Sequence, residues 1–149
     1  VLMVLMVFGA FGRIFGGILG DRIGALPGYI LMSLGQTIFF IWFPDLISPT
    51  TIYVMAALFG FTYSGVMSSI LVCTRMMVPA NYGARAMSLT SFFGWIGMGL
   101  GGFLGGYFFD IYGNYNWAFT FAGLSGVINL IILSFFFLYI RKAERLVLN

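Results

Sequence analysis

Arg13 lies inside an apolar run, eight residues before the pair Asp21-Arg22, in the stretch Gly12-Arg13-Ile14-Phe15-Gly16-Gly17-Ile18-Leu19-Gly20-Asp21-Arg22-Ile23-Gly24. A guanidinium facing lipid at mid-membrane costs roughly 2.5–3.5 kcal/mol, so one that is kept faces protein or a water-filled path. At 1.5 Å of rise per residue, eight residues set Arg13 about 12 Å along the helix axis from Asp21, well into the membrane. A planar guanidinium matches the two oxygens of a carboxylate, so Arg13 can hold an anion. It can also join a gating network, cap a helix end or pair with a partner helix.

Few other side chains offer chemistry. The chain has no histidine, and no Asp or Glu falls in the middle of an apolar run, so these spans carry no intramembrane proton relay of the usual kind. Cys73 is the single cysteine; it forms no disulfide within the chain and reads as a small apolar side chain. No metal-ligand cluster, cofactor motif or nucleophile–base set is present, so neither an enzyme nor a bound cofactor is expected. Gly97-Met98-Gly99-Leu100-Gly101-Gly102 satisfies G-x-G-x-x-G. It lies inside an apolar run rather than after a strand, and so is a chance match.

The elements that must position Arg13 follow from composition. The chain is 61% hydrophobic and 7% charged, against about 25% charged in globular domains, with a mean hydropathy of +1.05. Apolar runs at 1–19, 27–43, 51–73, 86–109 and 117–140 approach or exceed the ~20 residues of a membrane-spanning helix. Four of them are free of charge, and none alternates as a β-barrel strand does. The expected fold is an all-α integral membrane bundle of five transmembrane helices, with the lipid bilayer as partner and a tail at 141–149.

Charge orients these spans. Arg22 follows the first, Arg75 and Arg85 flank the third connection, and Arg141, Lys142 and Arg145 follow the last. The two opposite connections carry Asp45 and Asp110 and no basic residue. The positive-inside bias places the basic side, and with it the C-terminus, in the cytoplasm. Tyr53, Tyr112, Tyr115 and Trp117 on the acidic side and Tyr82 on the basic side suit interfacial belts. The net charge of +3 reflects topology and predicts no nucleic-acid partner. The opening Val1-Leu2-Met3 enters a span with no polar flank, which predicts a chain cut from a longer one.

Glycine spacing predicts where helices meet. Lipid gives apolar helices no drive to associate, so close backbone approach at small residues must supply the packing. Gly12, Gly16, Gly20 and Gly24 recur every four residues in the first span, and Gly97, Gly101 and Gly105 do so in the fourth. Gly60, Ser64 and Ser68 form a weaker stripe in the third. Such faces pack tightly, and they also let helices rock as an alternating-access carrier requires.

Gly17-x-x-x-Asp21-Arg22-x-Gly24 resembles the signature loop of the major facilitator superfamily, found between helices 2 and 3 and again between helices 8 and 9. Val78-Pro79-Ala80-Asn81-Tyr82-Gly83-Ala84-Arg85-Ala86 resembles the cytoplasmic connection before helix 11, and Asp110-Ile111-Tyr112-Gly113-Asn114-Tyr115-Asn116-Trp117-Ala118-Phe119 the approach to helix 12. Residues 51–73 lack the arginine usual near the start of helix 4, and the Asp-x-x-Gly-x-Tyr-x-Trp-Ala-Phe segment is similar to that of monocarboxylate porters and oxalate-formate antiporters. The resemblance thus implies helices 8 to 12, with the amino-terminal half as the missing partner.

What the resemblance implies is transport of a small solute, an organic anion such as a monocarboxylate, by alternating access in a prokaryotic inner membrane. Arg13 would bind the substrate carboxylate, and Tyr63, Ser68 and Ser91, with Ser64, Ser88 and Trp95, would line the path. Gly17, Asp21, Arg22, Gly24 and Arg85 would form the gating loops, with Asp21 held against a helix start in the other half. Two departures are plain. Ala25, Leu26 and Pro27 stand where the loop usually ends in basic residues, and 86–109 lacks the lysine expected for oxalate. Gln36 and Asn129 suit helix contacts. The competing expectations are a non-transporting membrane assembly or sensor subunit, and a carrier of a non-anionic solute.

Overall fold

The computed structural model describes residues 1–42 and 48–147. Five long helices follow one another: α1 (Leu2–Ile23), α2 (Ala25–Trp42), α3 (Pro49–Met76), α4 (Gly83–Tyr112) and α5 (Asn116–Val147), with a 3-10 turn at Ala80–Tyr82 leading into α4. All five are long and apolar enough to cross a membrane, and no strand occurs among the described residues. The expected all-α membrane fold is the observed one. Asp45 lies outside the described residues.

The helices run past the apolar stretches that announce them. Arg22, Arg75, Arg85 and Asp110, expected beyond the ends of the apolar runs, occupy terminal helical turns, and α5 continues through Arg141 and Lys142 of the expected tail. A helix keeps its backbone groups bonded as it leaves hydrocarbon, so continuing the helix through the charged boundary costs less than opening it there.

Small residues make the turns. Gly24 ends α1 at φ 98°, and its N–H donates to the Gly20 carbonyl at 3.0 Å. The Gly24 carbonyl in turn accepts from the Gly28 N–H at 3.0 Å, so one residue closes α1 and opens α2. Pro49 starts α3 after the extended Ser48, where proline's missing N–H has no partner to lose. Gly113 closes α4 in the left-handed region at φ 67°. Asn114 Oδ1 then accepts from the Asn116 N–H at 3.2 Å at the head of α5.

α3 is the centre of the bundle, and its most extensive partner is α1. Glycines interlock there. A Cβ at Gly12 would fall on the Phe61 backbone, one at Gly60 on the Leu5 carbonyl, and one at Gly16 would come 3.1 Å from Gly65 Cα. Gly9, which lies outside the four-residue stripe, completes the contact against Ser64. Gly20 leaves this face and packs on α2 instead, where a Cβ on Gly28 would stand 3.2 Å from Gly20 Cα. Each four-residue step advances about 40° around a helix of 3.6 residues per turn, so the stripe drifts from one neighbour to the next.

α2 packs on α3 and α5. Leu26, Tyr29 and Met32 of α2 join Val66 and Cys73 of α3 and Leu133 of α5 in the core. Asn129 Nδ2 donates to Ser33 Oγ at 2.9 Å, tying α5 to α2 as the sequence suggests for Asn129. α4 lies to one side, and Gly83 is its one buried residue. Nothing stands within 4 Å of a Cβ built at Gly97, Gly101 or Gly105. The packing expected of that stripe therefore has no partner among the described residues, because α4 leans on α3 and α5 through other faces.

Candidate functional site

Between α3 and α4 is a cavity of about 290 Å³, into which α1 sends Arg13. Two ties bound it. Near one end Thr74 Oγ1 and Thr90 Oγ1 lie 3.3 Å apart, and near the other the Tyr63 hydroxyl donates to Met98 Sδ at 3.7 Å. Between them the wall of α3 is Tyr63, Met67, Ile70 and Leu71, and that of α4 is Thr90, Ser91, Gly94, Trp95 and Met98. Both sets follow helical three- and four-residue spacing, so each is one helix face.

The cavity exists because α4 touches α3 lightly while α1 and α3 are locked together. Close glycine packing brings α1 near enough for its arginine to pass the edge of α3. Arg13 is exposed and makes no ion pair or hydrogen bond among the described residues. Among the described residues it is the one charged group on the cavity wall, whose hydroxyls are those of Tyr63, Thr90 and Ser91. A lone cation with hydroxyl donors nearby and no carboxylate to neutralise it can receive an anion.

Of the four side chains expected at a solute site, the structure brings together Arg13, Tyr63 and Ser91 and leaves Ser68 out. Ser68 Oγ donates to the backbone oxygens of Gly65, at 3.0 Å, and Ser64, at 3.2 Å, and lies beside Gly16 in the α1–α3 contact. Its hydroxyl is spent on its own helix, as most membrane serines are. Ser64 is buried in the same contact, and Ser88 bonds to the Ala84 carbonyl at 2.9 Å. Trp95 does line the cavity. Nothing in the sequence singles out Met67, Thr90 and Met98, although steps of three or four residues lead from Tyr63 to Met67 and from Gly94 to Thr90 and Met98.

The expected gating residues gather at the Gly24 end. Gly17 and Asp21 edge a notch of about 40 Å³ shared with Gly16, Gly20 and Ser69, and a Cβ at Gly17 would meet nothing within 4 Å. Asp21, Arg22 and Arg85 are exposed. Arg75, not Arg85, reaches across the turn, its Nε standing 3.5 Å from a Cβ built at Gly83. No cluster of metal-ligating side chains occurs among the described residues.

Five helices long and apolar enough to cross a membrane, with a cavity between α1, α3 and α4, define a polytopic α-helical membrane protein. The Major Facilitator Superfamily profile matches residues 1–148, and the chain belongs to that superfamily. It is thus part of a family of transmembrane transporters rather than of enzymes. No match to the chain was found among the curated proteins or among the solved structures.

Proposed function

We propose that the chain is the carboxyl-terminal part of a carrier, helices 8 to 12, that moves a small organic anion such as a monocarboxylate by alternating access. The observation that carries this reading is the Arg13 guanidinium, without an ion pair or hydrogen bond among the described residues, on the wall of the α3–α4 cavity that Tyr63 and Ser91 also line. The glycine face of α4, without a partner among the described residues, leaves room for the other half of the carrier. With the Arg22, Arg75, Arg85 and Arg141 end in the cytoplasm, Asp21 and Arg22 stand at the inner rim, where they work as a gate.

Rocking of α4 against α3 is the motion that suits this arrangement. The two helices are joined by a hydroxyl pair and a weak tyrosine–thioether bond, whereas α1 and α3 are interlocked by glycines. One pair can separate while the other moves as a unit.

The test is uptake of labelled organic acids, sugars and amines by proteoliposomes holding the whole carrier. Carboxylate uptake that Arg13→Ala abolishes, with Arg13→Lys retaining part of it, supports the reading. Uptake of neutral or cationic solutes unaffected by Arg13→Ala overturns the anion assignment.

A further inference from the structure

We propose that the cavity is shaped for a monocarboxylate with an aromatic body, and discriminates against both short acids and dianions. This rests on the reading of Arg13 as the anion site and adds the nature of the rest of the ligand.

Charge limits the number of acid groups. The cavity wall carries one guanidinium and no second cation among the described residues. One carboxylate is matched there. A second on the same ligand would be desolvated against apolar walls without a partner, which is strongly unfavourable.

Size and surface select the body. A volume of about 290 Å³ equals that of about ten water molecules at ~30 Å³ each. A small aryl acid occupies most of it, whereas acetate leaves most of it to water. The cavity wall also carries Trp95, Tyr63, Met67, Met98 and Ile70. Thioethers meet ring edges favourably, and indole and phenol faces stack on a ring in offset or edge-on geometry. Trp95 is 73% exposed, so its ring lies uncovered by the chain. The Tyr63 hydroxyl donates only to the Met98 sulfur, a weak acceptor, and can turn to a carboxylate at small cost.

Binding of radiolabelled phenylacetate to the whole carrier purified into lipid nanodiscs, with unlabelled competitors, tests this directly. Phenylacetate should outcompete acetate and succinate at least about tenfold, a factor of ten being ~1.4 kcal/mol. 2-Phenylethanol, which has the ring without the charge, should compete weakly. Trp95→Ala should narrow the margin over acetate several-fold while Trp95→Phe restores it, which separates a lost ring contact from a lost fold. Equal competition by acetate, with all binding lost in Arg13→Gln, overturns the aromatic inference and leaves the anion site standing. Strong competition by 2-phenylethanol with no effect of Arg13→Gln overturns the anion site itself. Absence of saturable phenylacetate binding to a whole carrier that is helical and monodisperse overturns the inference outright.

Discussion

The hydroxyls of Thr74 and Thr90 lie 3.3 Å apart and join α3 to α4 at one end of the cavity that Arg13 enters. Thr74 Oγ1 already donates its proton to the Ile70 carbonyl at 2.7 Å, so Thr90 is the donor between the two. The tie is directional, and the two threonines are unequal in what their loss does.

Thr74→Val removes the acceptor and strands the Thr90 hydroxyl, whereas Thr90→Val leaves Thr74 bonded to its own helix. Thr74→Val is expected to be the more destabilising, with each effect near the ~0.6 kcal/mol typical of such bonds in membranes and at most about 1.7. Equilibrium unfolding in mixed micelles measures both, and the double variant should fall short of their sum because the pair shares one bond. Equal single effects that add fully would refute the coupling.

Gly12 and Gly97 have the same residue type in the same kind of stripe, yet opposite outcomes are expected for alanine. A methyl at Gly12 collides with the Phe61 backbone, and overpacking of this kind costs about 1–3 kcal/mol or more. At Gly97 there is open space, and alanine gains up to ~1 kcal/mol of helix propensity. Unfolding of the two variants should therefore shift in opposite directions.

Ser69 is 3% exposed, and its Oγ has no hydrogen-bond partner. Replacing it with alanine relieves a desolvated hydroxyl and is expected to raise stability by about 1 kcal/mol. A loss of stability instead would mean that water enters the 40 Å³ notch beside it and satisfies the hydroxyl.

Carboxylate binding should stay level from about pH 6 to 9, where the ligand remains ionised. It should fall only as the ligand's own carboxyl takes up a proton, near pH 4 for an ordinary acid. Titrating phenylacetate affinity across this span checks the sign. A decline between pH 6 and 9 would point to a group other than Arg13.

Part of the cavity wall is legible in the sequence. Arg13 stands out because charge is costly in an apolar helix, and Tyr63 and Ser91 because polar groups there are few. Ser68 misleads, since a serine looks the same in sequence whether its hydroxyl faces a cavity or folds back on Gly65. Met67 and Met98 were hidden for the converse reason: an apolar side chain on a cavity wall has the same type as one in lipid.

By itself the sequence determines five helices, because runs of apolar residues must bond their own backbone in hydrocarbon, and it determines the turn at Gly24, where a positive φ favours glycine. Tertiary structure alone decides which faces meet. The Gly12 and Gly16 face locks onto α3, while the Gly97, Gly101 and Gly105 face meets no helix here, and nothing in the two repeats distinguishes them. Period tells which residues share a face of a helix. In lipid, however, no difference in polarity marks a buried apolar face from an exposed one, so the choice falls to shape complementarity between whole helices.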